Sequence, residues 1–205
     1  MAKKKRKLPE KETNLTKIYV VLALLFIAAL LIFFSGTAHE KPIEKLQTGK
    51  VKIIEFFKFD CIHCYNLHKN LPKVLEKYGD NVTITYVPVV WPGQSNKSIE
   101  ACYISEEMGK GEEMRDALFR AKFENGTDVI ENVTALEEVA ASIGLGSDFN
   151  VKLEGNYARK AALLNLELMN KYGVQATPAI IINENLLVNP PTAANLDSII
   201  ASLLS

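Results

Sequence analysis

Cysteine is scarce in this chain, with three residues in 205. So few cannot form a disulfide scaffold, so a folded domain of this length must rest on its own apolar core. Tryptophan occurs once and histidine three times, and no second C-x-x-C accompanies the one at Cys61 and Cys64, so a four-cysteine structural zinc site is absent. Net charge is also missing, since 24 basic side chains balance 24 acidic ones. The balance is uneven along the chain: residues 39–205 carry 17 basic and 22 acidic groups, a net of −5 that offers no nucleic-acid surface.

Charge disappears altogether from Ile18 to Phe34, a run of 17 residues. As a helix this run would span roughly 25 Å, slightly short of the ~30 Å hydrocarbon core, and Ser35 to Ala38 would complete the crossing. Seven basic and two acidic residues precede it, a bias that predicts a cytoplasmic N-terminus and an exported remainder. The expected organisation is a basic cytoplasmic tail at 1–17, a transmembrane anchor at 18–38 and a catalytic domain at 39–205 outside a cell membrane crossed once. The alternative is a signal peptide cleaved near Gly36-Thr37-Ala38, which would leave a soluble exported or periplasmic domain.

What the exported part does contain is a pattern of strands and helices. Val51 to Phe57 is apolar nearly throughout and predicts a central strand. A helix follows from Cys61 to about Tyr78, with Pro72 inside it, and Val82 to Val90 predicts the next strand. From about 98 to 169 the apolar residues recur at helical spacing only, in roughly four helices. One of these groups is Leu153, Tyr157, Ala161, Leu164 and Leu168. Strand signals return at Ala179 to Ile182 and Leu186 to Val188, joined by Asn183-Glu184-Asn185 as a hairpin, and a last helix runs from Ala193 to Leu204. The order is β-α-β, a helical insertion, then β-β-α, which predicts an α/β domain with one mixed sheet.

The cysteine pair follows the first strand directly. With Cys61 at the helix N-terminus, its sulfur would lie near free amide hydrogens that favour a thiolate, while Cys64, one turn further, would sit deeper. That arrangement suits thiol–disulfide exchange, with Cys61 as nucleophile and Cys64 as the resolving thiol. His63 between them is expected to stabilise the thiolate. Competing readings are a stapling disulfide, or zinc held by Cys61, His63, Cys64 and His68. Glu55 breaks an apolar strand between Ile53 and Phe57 on its own face, which points to partial burial and to a proton relay for exchange. Cys102, beside Ile99 and Tyr103 on an apolar helical face, reads as a buried inert thiol.

The set Glu55-Phe56-Phe57, Cys61-Ile62-His63-Cys64 and Tyr172-Gly173-Val174-Gln175-Ala176-Thr177-Pro178-Ala179 resembles the DsbA family of exported thiol-disulfide oxidoreductases over most of residues 45–200. The resemblance implies a thioredoxin-like fold with an inserted helical subdomain, here preceded by the transmembrane helix. It also implies a buried glutamate at Glu55 and a cis-proline loop at Thr177-Pro178 that binds substrate backbone. Ile62 stands where family members often carry proline. The expected function is donation of the Cys61–Cys64 disulfide to exported substrate proteins, without a cofactor or metal. Reduction, isomerisation or non-catalytic chaperone-like binding on the same fold are the alternatives. Expected partners are reduced or misoxidised exported proteins, a separate redox partner that recycles the disulfide, and the membrane through 18–38, but no nucleic acid.

Overall fold

The computed structural model describes residues 50–205. Strand β1 (Val51–Phe57) lies second in a four-stranded sheet of order β2-β1-β3-β4. Its apolar side chains on both faces require cover on both, and every residue from Glu55 to Phe57 is buried. β2 (Val82–Pro88) pairs with it in parallel, with Glu55 opposite Tyr86. β3 (Ala179–Ile182) pairs with it antiparallel, with Glu55 opposite Ile180. The two-residue β4 (Leu186–Leu187) completes the sheet as the expected antiparallel hairpin partner of β3. Asn183 and Glu184 turn that hairpin at φ of 51° and 66°.

Pleating divides the strand between separate cores. Val51 and Ile53 meet Leu67, Leu71 and Val74 of helix α1 (Ile62–Glu76) and Leu196 and Ile200 of the last helix. Phe56, on the opposite face, packs with Val87, Met169 and Ile181. Phe57, at the end of the strand, joins the core of the helical insertion through Phe59 and Phe119, at ring separations of 5.2 and 5.7 Å. Burial of these aromatic side chains supplies the main favourable term that fixes the insertion against the strand's C-terminal end.

The insertion comprises α2 (Lys97–Glu107), α3 (Gly111–Phe123), α4 (Val133–Ser142), α5 (Ser147–Glu154) and α6 (Arg159–Lys171), and α7 (Ala193–Leu204) closes the chain. It therefore holds five helices among the described residues, against the four read from periodicity. The difference lies in the stretch from Leu153 to Leu168, which the sequence presents as one amphipathic run. Gly155 ends α5, and Asn156 turns the chain at φ 56°, so the stretch becomes two helices with different buried faces. Leu164 and Tyr157 are exposed, while Ala162, Asn165 and Met169 face inward. The second strand ends at Pro88, two residues earlier than its apolar pattern suggests.

The membrane-anchored architecture expected from the sequence is corrected. No helix among the described residues is long and apolar enough to cross a membrane. The longest, α1, has 15 residues and reaches roughly 22 Å, well under the ~30 Å of a hydrocarbon core. Residues 1–17 and 18–38, on which the tail and anchor were expected, lie outside the described residues. The fold is thus a thioredoxin-like mixed sheet with a helical insertion and no spanning helix among the described residues. The transmembrane helix, the membrane as a partner and the cell-membrane location are withdrawn.

One polar group ties the insertion to the sheet. Asn165 of α6 is 4% exposed, donates to the Pro88 carbonyl at 2.8 Å and accepts from the Tyr103 hydroxyl at 2.6 Å. Asn165→Ala would leave the Pro88 carbonyl and the Tyr103 hydroxyl without this partner. A loss of about 2–4 kcal/mol in urea unfolding is expected, and a loss within experimental error would show that the bonds are not needed.

Candidate active site

Cys61 is the N-cap of α1, as its position after the strand implies. Its backbone is extended, at φ −100° and ψ 111°, and its sulfur accepts the Cys64 amide hydrogen at 3.3 Å. Four amides at a helix start lack helical partners, and here a sulfur takes the place that serine or aspartate oxygens usually fill. The Cys61 thiol also donates to the Thr177 carbonyl oxygen at 3.3 Å. That contact brings the Thr177-Pro178 loop, which enters β3, against the helix N-terminus. The Thr177–Pro178 bond is cis, as is Asn189–Pro190.

Both sulfurs are free thiols, and their surroundings separate them. Cys61 is half-buried and Cys64 is fully buried. A hydrogen bond from the Cys64 thiol, against the opposing cost of burial, lowers the Cys61 thiol to about 6; the Thr177 side chain and the Cys64 and His63 amides add to the lowering. The same thiol–thiol bond, together with burial, pushes the Cys64 thiol far up. His63 is exposed, so what it brings to the Cys61 sulfur is its backbone N–H rather than its imidazole. Ile62 is exposed beside the pair.

Glu55 is 3% exposed, so strand alternation turns it inward rather than to solvent. Burial pushes its carboxyl up to about 8; Arg115 opposes the rise, and a charge on Cys61 adds to it. Arg115 belongs to α3, one turn before Phe119. Its guanidinium carbon lies 3.8 Å from the Tyr86 ring centroid, and its Nε is buried with no hydrogen-bond partner. Phe57, Tyr86, Cys102, Tyr103, Glu112 and Arg115 line a cavity of about 400 Å³ next to this cluster. Cys102 faces that cavity with its thiol pushed up to about 12 by burial, as suits an unreactive thiol. His68 is half-buried and lies 4.9 Å from Phe119 and 3.6 Å from an Asp116 oxygen, away from the sulfurs' own contacts. Among the described residues no group of three or more His, Cys, Asp or Glu is arranged to hold a metal ion.

Sequence reasoning missed Arg115, Tyr86 and Lys58. Tyr86 is set opposite Glu55 by strand register, and Arg115 reaches it from a helix far along the chain. No local pattern marks either. Lys58 did carry a signal, a lysine wedged between Phe57 and Phe59 where the strand leaves the core.

A family model described as thioredoxin matches residues 47–202. The thiol:disulfide interchange protein DsbA of Pseudomonas syringae pv. tomato is 25% identical over 136 residues, covering 66% of this chain and 63% of that protein. The protein of the same name from Azotobacter vinelandii is 25% identical over 145 residues, covering 67% and 64%. The chain thus spans just under two thirds of the length of these two relatives. The crystal structure of the oxidoreductase DsbA from Xylella fastidiosa superposes with a TM-score of 0.64 at 23% identity, covering 77% of this chain and 85% of that one, and so shares its fold.

The shifts make the stability of the reduced form depend on pH in opposite senses. Cys61 is lowered from 9.0 to about 6, so its ionisation stabilises the fold fully above 9.0, and that contribution is lost as pH falls through about 6. Glu55 is raised from 4.5 to about 8, so it costs nothing below 4.5 and destabilises increasingly up to about 8. Glu55→Gln is therefore expected to gain stability over the parent as pH rises through that window and then level off. Urea titrations at a series of pH values measure it, and a pH-independent difference would exclude a buried, titrating Glu55.

Proposed function

Because this chain belongs to the thioredoxin family and is related to the DsbA family of thiol-disulfide oxidoreductases, we propose that it is a protein thiol-disulfide oxidoreductase that donates a Cys61–Cys64 disulfide to exported proteins. One observation carries the reading: a half-buried sulfur at a helix N-cap, held low by hydrogen bonds, sits one turn from a buried sulfur held high.

In the oxidised protein a substrate thiolate attacks Cys61, forming a mixed disulfide and breaking the Cys61–Cys64 bond. The electron pair leaves on Cys64, whose buried thiolate takes up a proton. Glu55, whose carboxyl holds its proton up to about pH 8, serves as the relay for that proton. A second substrate thiolate then attacks the substrate's own sulfur in the mixed disulfide and expels Cys61 as a thiolate. The substrate has lost two electrons to the enzyme dithiol, and a separate oxidant restores the disulfide.

The low value of Cys61 bears on direction. A stable leaving thiolate favours the reduced enzyme, and so an oxidising disulfide. The Thr177-Pro178 loop suits substrate backbone, since the Thr177 carbonyl already accepts from the Cys61 thiol where a bound chain would lie. His63 contributes its amide to the thiolate site. Reduction or isomerisation would run through the same mixed disulfide, and the potential separates them from donation.

Cys64→Ala is expected to accumulate mixed disulfides through Cys61 when incubated with oxidised, cysteine-containing unfolded proteins, seen as adducts on non-reducing gels. Absence of adducts would favour a binding module without exchange chemistry. Equilibration with glutathione buffers followed by thiol trapping should give a potential well above about −270 mV, the thioredoxin region. A value at or below that figure would overturn donation in favour of reduction.

A further inference from the structure

The exchange steps leave a buried cation unused. Among the described residues the buried polar and charged set is Glu55, Lys58, Ser98, Glu100, Ser105 and Asn165, and Lys58 is its only cation. Burying an ammonium is costly unless it is paired. Lys58 Nζ lies 3.2 Å from an Asp60 carboxylate oxygen and 5.1 Å from the Trp91 ring centroid. The backbone of the same residue bears on both cysteines: its carbonyl accepts the Cys61 amide hydrogen at 3.3 Å, and it acts to lower the Cys64 thiol against the rise that the thiol–thiol bond and burial cause.

Asp60 immediately precedes Cys61 and is partly buried, with its side chain 26% exposed. A bare carboxylate at that point would oppose a thiolate on the next residue. We propose that Lys58 is a positioning residue for Cys61: its ammonium cancels the Asp60 carboxylate and, by gripping Trp91, ties the loop before Cys61 to the loop after β2. The inference rests on the reading of Cys61 as the attacking sulfur and leaving group. Trp91 is itself braced, since its amide donates to the Gln94 side-chain oxygen at 2.8 Å and it packs beside the core of Phe56 and Val89. Lys58 thus holds its partners from a rigid base, and the charge it neutralises stays beside the thiolate.

Other titratable groups bear on the same sulfur. They are Cys64 on α1 and Glu55 on β1, with Arg115 of α3 acting on Glu55. The test must therefore isolate the Lys58–Asp60 pair. In the full chain, Lys58→Met is expected to raise the Cys61 titration midpoint, followed by thiolate absorbance, by roughly one pH unit, about the size of one uncompensated charge several ångströms away. Its equilibrium with glutathione should shift roughly five- to tenfold towards the disulfide form. Asp60→Asn alone should move the midpoint down, because the ammonium is then unopposed. Lys58→Met with Asp60→Asn should return it to the parent value, an outcome that lost packing at Lys58 would not produce.

An unchanged midpoint in Lys58→Met, or a double variant as displaced as the single, would overturn the inference. Should Lys58→Met fail to fold, Asp60→Asn decides alone, and a midpoint that stays or rises counts against it. A flat cycle alongside adducts trapped by Cys64→Ala defeats only this inference. A complete cycle without adducts defeats the proposed exchange activity instead.

Discussion

Burial of β1 on both faces is the constraint from which the rest follows. A strand covered on each side must sit inside the sheet, and it takes a parallel neighbour on one edge and an antiparallel one on the other. Its C-terminal end then delivers Phe57 to the core of the helical insertion and leaves the chain to emerge as a short loop into α1. Cys61 stands at that exit. The same burial makes Glu55 an interior carboxyl, with a proton affinity far from that of an exposed one.

From this frame the two sulfurs acquire different chemistry over a single helical turn. The N-cap position supplies amide hydrogens to Cys61, and the turn between them carries Cys64 beneath the surface. Hydrogen bonding between the thiols stabilises the charge on one and suppresses it on the other. The antiparallel pairing of β3 with β1 brings the Thr177 carbonyl within hydrogen-bonding reach of Cys61. Sheet topology, rather than any local motif, makes that contact.

The helical insertion is more than an appendage to the sheet. Phe119 of α3 lies 5.1 Å from Phe59 in the loop that leads to Cys61, so packing within the insertion reaches the redox loop. One turn earlier, Arg115 covers the Tyr86 ring and acts on Glu55. On the other side of the loop, Lys58 joins Asp60 and Trp91. Glu55 feels the charge of Cys61 from the strand, Arg115 bears on Glu55 from the insertion, and Lys58 pairs with Asp60 in the loop itself.

Much of this was legible in the amino-acid order. The strand at Val51–Phe57, the helix opening at Cys61, the late hairpin and the inward Glu55 follow from local periodicity, from a helix-start signal and from a carboxylate flanked by apolar neighbours. These are short-range properties, and the chain within a few residues determines them. The split of Leu153 to Leu168 into two helices was not legible, because a glycine and a left-handed Asn156 reset the helical phase without removing the apolar repeat. A membrane-anchored fold, read from a hydrophobic run near the N-terminus, did not hold for the described residues. Only the tertiary structure could decide that Arg115 bears on Glu55, that Thr177 meets Cys61 and that Lys58 reaches Trp91. Strand register and helix packing bring together residues remote in sequence, and electrostatic forces act on their separation in space.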